Sequence, residues 1–466
     1  MHDLTEQPTR AILAAVQLHG VDDATFASSI AELRRLATTL GLVVVDQVTQ
    51  RRGRLASGVV LGAGKLKELA AWTGGTGEVP TYQKPGKRHG DDDAADDLDV
   101  ADGGEPDDEP EPDDAGAAAA PTGPRCTVVL VDHDLTPTQQ RNLERATDAE
   151  VMDRTSVILA IFHRHAKTRE ARLQVEIARL AYLAPRLRES GGGGDRVRGG
   201  VGGKGAGESS MELDRRRIRD RVAELRRELA AIEGGARTRR ARRDDAQTVA
   251  VVGYTNAGKS SLMRALTGSE VYVADKLFAT LDTTVRVLDA RTKPPILLSD
   301  TVGFIKKLPH DLVASFRSTL DEASHADLLM HVVDASDAAF RDHMAVTRGV
   351  LGELGVDAPE LVVLNKSDRL DDDQRAALAA AFPEAILMSA KSPDDVRALR
   401  EHVVERFAGA AVEAELFVPW ARHKLVHDIH ARCRVVRELH EDDGTRLTVR
   451  APGAIVEELA ATLAAS

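Results

Sequence analysis

The sequence predicts an α/β protein in four parts: an N-terminal α/β domain, a long helical hairpin, a second α/β domain with a mostly parallel sheet, and a small α+β domain at the C-terminus. Three observations carry this. Short β-branched runs alternate with helical stretches over 10–73 and again over 247–408, the pattern of βαβ units. Between them, 154–233 keeps helical spacing apart from one Gly-rich interruption. The last segment, 414–466, reads strand, helix, strand, strand, helix.

The chain has 466 residues, enough for about three domains by length alone. It is 42% apolar, sufficient for ordinary cores. Its two cysteines, Cys126 and Cys433, are too few and too far apart for a disulfide framework or a metal site, which points to a reducing cytosol. No apolar run is long enough to span a bilayer, and MHDLTEQPTR lacks the features of a signal peptide. The expected location is cytoplasmic. The net charge of −12 is concentrated: 91–114 holds 14 acidic residues and no basic one. Without that segment the chain is nearly neutral.

In chain order, AILAAVQL and LVVVDQVT read as buried strands around the helix TFASSIAELRRLATTLG. Residues 74–124 break the pattern with Gly, Pro, Asp, Glu and Ala. Such a stretch cannot bury enough apolar surface to offset its ordering entropy, so it reads as a disordered acidic insert within a domain 1–152. The sheet resumes at TVVLVD. Residues 153–245 form the hairpin: one helix over 154–188, a Gly-rich tip, and an Arg-rich helix over 210–233. The second α/β domain spans 246–410 and the last domain 411–466. GAGK at 62–65 imitates part of a phosphate loop, but Leu66 follows where Ser or Thr is needed, so a structural turn is favoured over the alternative of a second nucleotide site. His163 and His165 lack metal-ligand spacing and read as surface or packing residues.

The chemistry sits in 247–408. VAVVGYTNAGKSSL is a strand, then G-x-x-x-x-G-K-S, then a helix. Gly253 and Gly258 let the backbone curl so that N–H groups point at phosphate oxygens, helped by the helix N-terminus. Lys259 reaches the β- and γ-phosphates and Ser260 ligates Mg²⁺. Asp300 ends the strand PPILLSD, placed to hold Mg²⁺ through water, and the Gly303 N–H is placed for a γ-phosphate. LVVLNKSD supplies Asn365, Lys366, Ser367 and Asp368. The Asp368 carboxylate matches the N1–H and 2-amino pair of guanine, which adenine lacks. Asn365 would meet N7 and the Lys366 stem would cover the base. ILMSAK adds Ser389, Ala390 and Lys391, with the Ala390 N–H available for O6. Motifs in this order at strand ends specify a P-loop GTPase. Its second Mg²⁺ ligand must lie in LFATLDTTVRVLD. Thr280 is favoured, because Thr283 and Thr284 fall where the next strand begins.

VGYTNAGKSSL, FATLDTTVR, DTVGFI, NKSD and SAK resemble the motifs of the HflX family of ribosome-associated GTPases. The likeness continues upstream in LTPTQQRNLE, VMDRTSVILAIF, LQVEIARLAYLAPRL and GGVGGKGAGESSMELDRRRI. It covers about 125–410 strongly and 10–73 loosely. The acidic insert departs from the family pattern. So does the arm tip, with Gly203, Lys204 and Ala206 where the family carries Thr-Arg and Pro. The resemblance implies binding to the large ribosomal subunit in the GTP state, with Mg²⁺, and a role in separating or rescuing ribosomes. By motif, GTP contacts fall on Gly253, Tyr254, Thr255, Asn256, Ala257, Gly258, Lys259 and Ser260. They continue on Phe278, Ala279, Thr280, Leu281 and Asp282, on Asp300, Thr301, Val302 and Gly303, and on the two base motifs. Mg²⁺ falls on Ser260 and Thr280. Some related GTPases use an Asn at the position of Asn256 to ligate K⁺.

Phe304 stands where many such enzymes carry a water-orienting glutamine, so slow intrinsic hydrolysis is expected, stimulated by ribosomes. Phe304 with the following FIKKLPH reads as a contact surface for that partner. The arm's Lys204, Arg215, Arg216 and Arg217 suit an rRNA backbone. Nothing in the sequence demands more than a monomer. The alternatives to a ribosome-splitting or rescue factor are an assembly checkpoint GTPase for the large subunit and a non-ribosomal signalling GTPase.

Overall fold

The computed structural model describes residues 8–56, 58–79, 124–190, 210–241, 246–268, 277–278, 284–289, 291–306 and 322–464. The chain divides into two compact units between Arg154 and Thr155.

The first unit holds a parallel sheet in the order β2-β1-β3-β4, with β1 Arg10–Leu18, β2 Val43–Arg52, β3 Val128–Val131 and β4 Glu150–Asp153. The central β1 is buried along most of its length, as its unbroken apolar run requires. Helix α1 (Asp23–Leu40) starts at Asp22, whose side chain accepts from Thr25 N, and stops at Gly41 in the left-handed region. Helix α2 (Ala63–Thr73) begins at Gly62. Helix α3 (Pro137–Thr147) starts with a Thr136–Gln139 capping box. Arg154 is 1% exposed and pairs with Asp132 at 2.8 Å and with Glu32.

The expected insert 74–124 begins too early. Gly74 caps α2, and Gly75 lies so close to Ala146 and Thr147 that a side chain would not fit. Gly77 N–H donates to Ala146 O, and Cys126 N–H donates to Trp72 O. Residues 80–123 lie outside the described residues.

In the second unit the expected helix 154–188 is two helices, α4 (Arg154–His165) and α5 (Arg169–Ser190). Thr168 restarts the chain: its hydroxyl accepts from Ala171 N, while the Arg172 guanidinium donates back to Ala166 O. Helix α6 (Ser210–Ala241) packs on α5 through Leu173, Ile177 and Leu225. Arg169 pairs with Glu228 and Arg221 with Glu176, so the two helices run antiparallel.

A six-stranded sheet follows in the order β10-β9-β8-β5-β7-β6. Its strands are β5 Gln247–Val252, β6 Thr284–Asp289, β7 Ile296–Asp300, β8 Leu328–Asp334, β9 Glu360–Asn365 and β10 Ile386–Leu387. All neighbours are parallel except β6 against β7. Helix α7 (Lys259–Thr267) packs on one face and the helix Phe340–Glu353 lies against β8. The C-terminal sheet, β11-β13-β12, is antiparallel, over Val412–Pro419, Gly444–Ala451 and Arg434–His440. No helix among the described residues is long and apolar enough to cross a membrane. Both cysteines are buried, and no disulfide joins them.

Candidate nucleotide-binding site

The turn from β5 into α7 sits at the C-terminal end of the sheet, where parallel strands present their loops. Gly253 has φ 145° and Gly258 φ 96°, conformations that L side chains avoid. Space forbids a side chain as well. A Cβ on Gly253 would lie 2.1 Å from Val332 O, and one on Gly258 would lie 2.3 Å from Asn365 Nδ2. Asn256 takes φ 61°, which Asn tolerates better than most residues.

Lys259 opens α7 and is buried. Its Nζ donates to Gly253 O at 2.9 Å and Tyr254 O at 2.8 Å. Burial pulls the ammonium down to about 8, and the Asp300 carboxylate works against that shift. Ser260 Oγ donates to Asp300 Oδ2 at 3.1 Å, and Asp300 is fully buried at the end of β7. Thr301 Oγ1 donates to Val251 O. Thr255 Oγ1 is buried and has no hydrogen-bond partner among the described residues. A hydroxyl and a carboxylate, both hard oxygen donors, fit a magnesium ion. The glycine cradle, which a Cβ would fill, fits phosphate.

Beyond Asp300 the backbone runs back over the loop. Phe304 N–H donates to Gly253 O at 3.2 Å, and Thr255 N–H donates to Phe304 O at 2.7 Å. The Phe304 ring is 2% exposed among Ala250, Val252, Ala323, Leu329 and Leu351. This overturns its expected role as a contact surface. Burying an aromatic ring gains about 2 kcal/mol over leaving it in water, and the core beneath β5 and β8 offers the place. Ile305 is buried too, and residues 307–321 lie outside the described residues.

The base motifs interlock. Asn365 Nδ2 donates to Ala257 O at 2.9 Å, and Asn365 Oδ1 accepts from Ala390 N at 3.0 Å. The Ala390 N–H, expected to face guanine O6, is therefore taken by Asn365. Lys366, at φ 66°, donates to Asn256 O and to Asp334 Oδ2, both at 2.7 Å. Asp368 accepts from Ser389 Oγ at 2.7 Å and from Lys391 Nζ at 3.1 Å. The Ser389 hydrogen bond, then Lys391, holds this carboxyl below its ordinary range. Asp395 accepts from Ser389 N at 2.8 Å. Ser367 begins a short 3-10 turn, its N–H donating to Met388 O. Val302 is buried. Sequence reasoning missed Asp334 and Asp395. Each stands at a strand end or helix start, the positions where the motif residues themselves were found.

Phe278 adopts φ 56° and is 3% exposed, its ring edge-on to Phe162 of α4 with centroids 4.6 Å apart. Its side chain is committed to packing, which leaves its backbone for any nucleotide contact. Ala279, Thr280, Leu281 and Asp282 lie outside the described residues, as does Thr283, while Thr284 opens β6. On α6, Arg216 and Arg217 are exposed and Arg215 is half-buried. Arg217 pairs with Asp214. Lys204 lies outside the described residues. At Gly62 the N–H donates to Gln50 Oε1 at 2.8 Å, and Lys65 pairs with Glu68.

Residues 248–366 match the family described as 50S ribosome-binding GTPase, and 165–243 match the GTP-binding GTPase middle region. Residues 27–78 and 117–163 match the GTP-binding GTPase N-terminal family. The chain is 54% identical over 456 residues to the GTPase HflX of Gluconacetobacter diazotrophicus, covering 98% of each chain. The chain belongs to the HflX family of GTPases. Its likeness to the HflX of Caldanaerobacter subterraneus is 35% over 463 residues, covering 98% of this chain and 95% of that one. The HflX of Escherichia coli is 40% identical over 332 residues, 70% of this chain and 78% of that one. A GTP-binding protein of Sulfolobus solfataricus, solved with GDP, aligns with TM-score 0.41 at 20% identity, covering 85% of this chain and 98% of its own. As an HflX-family member this chain is a GTPase, and the buried loop, the Asp300 strand end and the Asp368 cluster lie together on its P-loop sheet.

Proposed function

We propose that this chain uses GTP and Mg²⁺ at residues 253–260 to hold the large ribosomal subunit, and that in the GTP state it splits or rescues ribosomes. The observation that carries this is the match of 248–366 to the 50S ribosome-binding GTPase family. The Arg-bearing antiparallel hairpin, suited to a phosphate backbone, supports it.

In this reading the loop N–H groups and α7's N-terminus wrap the phosphates. Lys259 exchanges its two carbonyl partners for phosphate oxygens, which favour the ammonium that burial penalises. Ser260 and Thr280 hold the magnesium, with Asp300 behind Ser260. When bound, the ion neutralises charge on the β- and γ-phosphates. The Gly303 N–H meets the γ-phosphate. Asp368, oriented by Ser389 and Lys391, accepts the guanine N–H pair. Lys366 ties the base motif to the Asn256 carbonyl, with its charge met by Asp334. Phe304 keeps its ring in the core and cannot orient water, so hydrolysis is slow until a partner contributes. A K⁺ ligand role for the Asn256 side chain predicts faster turnover in K⁺ than in Na⁺ buffer. Equal rates would remove it.

The test is GTP turnover by the full chain with and without purified 50S subunits, together with pelleting in GDP or a non-hydrolysable GTP analogue. Stimulation of about tenfold or more and analogue-dependent pelleting support the reading. Unchanged turnover with no pelleting would refute it.

A further inference from the structure

Tyr254 is a residue of the phosphate loop, but its side chain does separate work. The ring is 5% exposed and stacks on His343 of the helix Phe340–Glu353, with centroids 3.9 Å apart and planes 11° apart. The hydroxyl accepts the Lys306 N–H at 2.7 Å. Tyr254 and Phe304 form a parallel bridge, flanked by the Phe304 N–H to Gly253 O and the Thr255 N–H to Phe304 O. The Lys306 ammonium reaches Asp342 on the same helix at 3.1 Å. These contacts hold 303–306 down on the loop. A Cβ on Gly303 would lie 2.8 Å from Thr255 Cγ2 and 3.0 Å from Lys259 Nζ. Lys259 meanwhile turns its amine to the loop's own carbonyls. Gly303 therefore lies directly against Thr255 and the Lys259 amine, and in the proposed function the third phosphate goes between Gly303 and that amine.

We propose that Tyr254 is a positioning residue that clasps the segment 303–306 over the phosphate loop, so that a nucleoside triphosphate must lift the clasp whereas a diphosphate need not. This rests on the reading that Lys259 and Gly303 meet the γ-phosphate. The ring, fixed by His343, supplies a rigid arm. The hydroxyl supplies the bond that breaks. Tyr254 therefore sets the ratio of triphosphate to diphosphate affinity, without having to touch the nucleotide through its side chain.

The test uses the full chain and its Tyr254→Phe variant, which keeps the ring and loses the hydroxyl that accepts the Lys306 N–H. Each is titrated with fluorescent GDP and with a fluorescent non-hydrolysable GTP analogue. One neutral hydrogen bond predicts a gain of about two- to tenfold in the ratio of analogue to GDP affinity. Amide exchange at Lys306 should quicken in the variant. His343→Ala, which frees the ring, should shift the ratio the same way. An unchanged ratio, or one that moves toward GDP, overturns the clasp. Absence of GDP binding to the unaltered chain would instead overturn the site on which the clasp rests.

Discussion

The chain contains two glycine-rich turns that lead from a parallel strand into a helix and end in Gly-Lys, and they behave differently. At 62–65 the first glycine has φ −71°, its N–H is occupied by Gln50, and Lys65 reaches out to Glu68. At 253–260 two glycines adopt positive φ, neither has room for a side chain, and Lys259 is buried against the loop's own carbonyls. Short spacing alone therefore does not make a phosphate site. The site needs a backbone bent into the left-handed region, glycines with no room for a side chain, and an amine whose burial makes an incoming anion welcome.

The contrast can be broken most severely at Gly258. Gly258→Ala puts a Cβ 2.3 Å from Asn365 Nδ2 at φ 96°. It should cut GDP affinity by more than about 100-fold and add about 1–3 kcal/mol of strain, read by nucleotide titration and thermal unfolding. Asp368→Asn comes next. It replaces a charged acceptor, should lower guanine-nucleotide affinity by about 10- to 100-fold, and should leave the fold intact. The third test is pH. Lys259 titrates near 10.5 when unfolded and at about 8 in the fold. Between those values the unfolded chain holds more protons, so stability without nucleotide rises with pH across that window. Nucleotide affinity, which needs the ammonium, falls by up to about tenfold per unit above pH 8. A pH-independent affinity from 7 to 10 would contradict the assigned role. The smallest effect belongs to Gly62→Ala. Its Cβ would meet only the end of the flexible Gln50 side chain, at 2.9 Å, so stability should change by less than about 1 kcal/mol and nucleotide binding not at all.

The fold and the motif residues were legible because each depends on local pattern. Asp300, Asn365 and Ser389 stand at or just past the ends of apolar strands, and α7 follows its glycine directly. What was not legible depends on partners distant in the chain. Phe304 looks exposed in DTVGF because its core neighbours, Ala250 and Leu329, lie 54 residues before and 25 after it. The Tyr254–His343 stack joins residues 89 apart, and no spacing rule reports it. The Ala390 N–H was assigned to the base because the motif names that position, whereas Asn365 reaches it first. The break at 166–168 was hidden by continuous helical periodicity. Only the Thr168 cap betrays it.

Sedimentation of 70S ribosomes through a sucrose gradient, with the full chain and a non-hydrolysable GTP analogue, tests the central claim most directly. The account predicts conversion of 70S to subunits, with the chain on the 50S fraction and none of this in GDP. Intact 70S particles with the chain at the top of the gradient would contradict it, as would binding confined to immature particles.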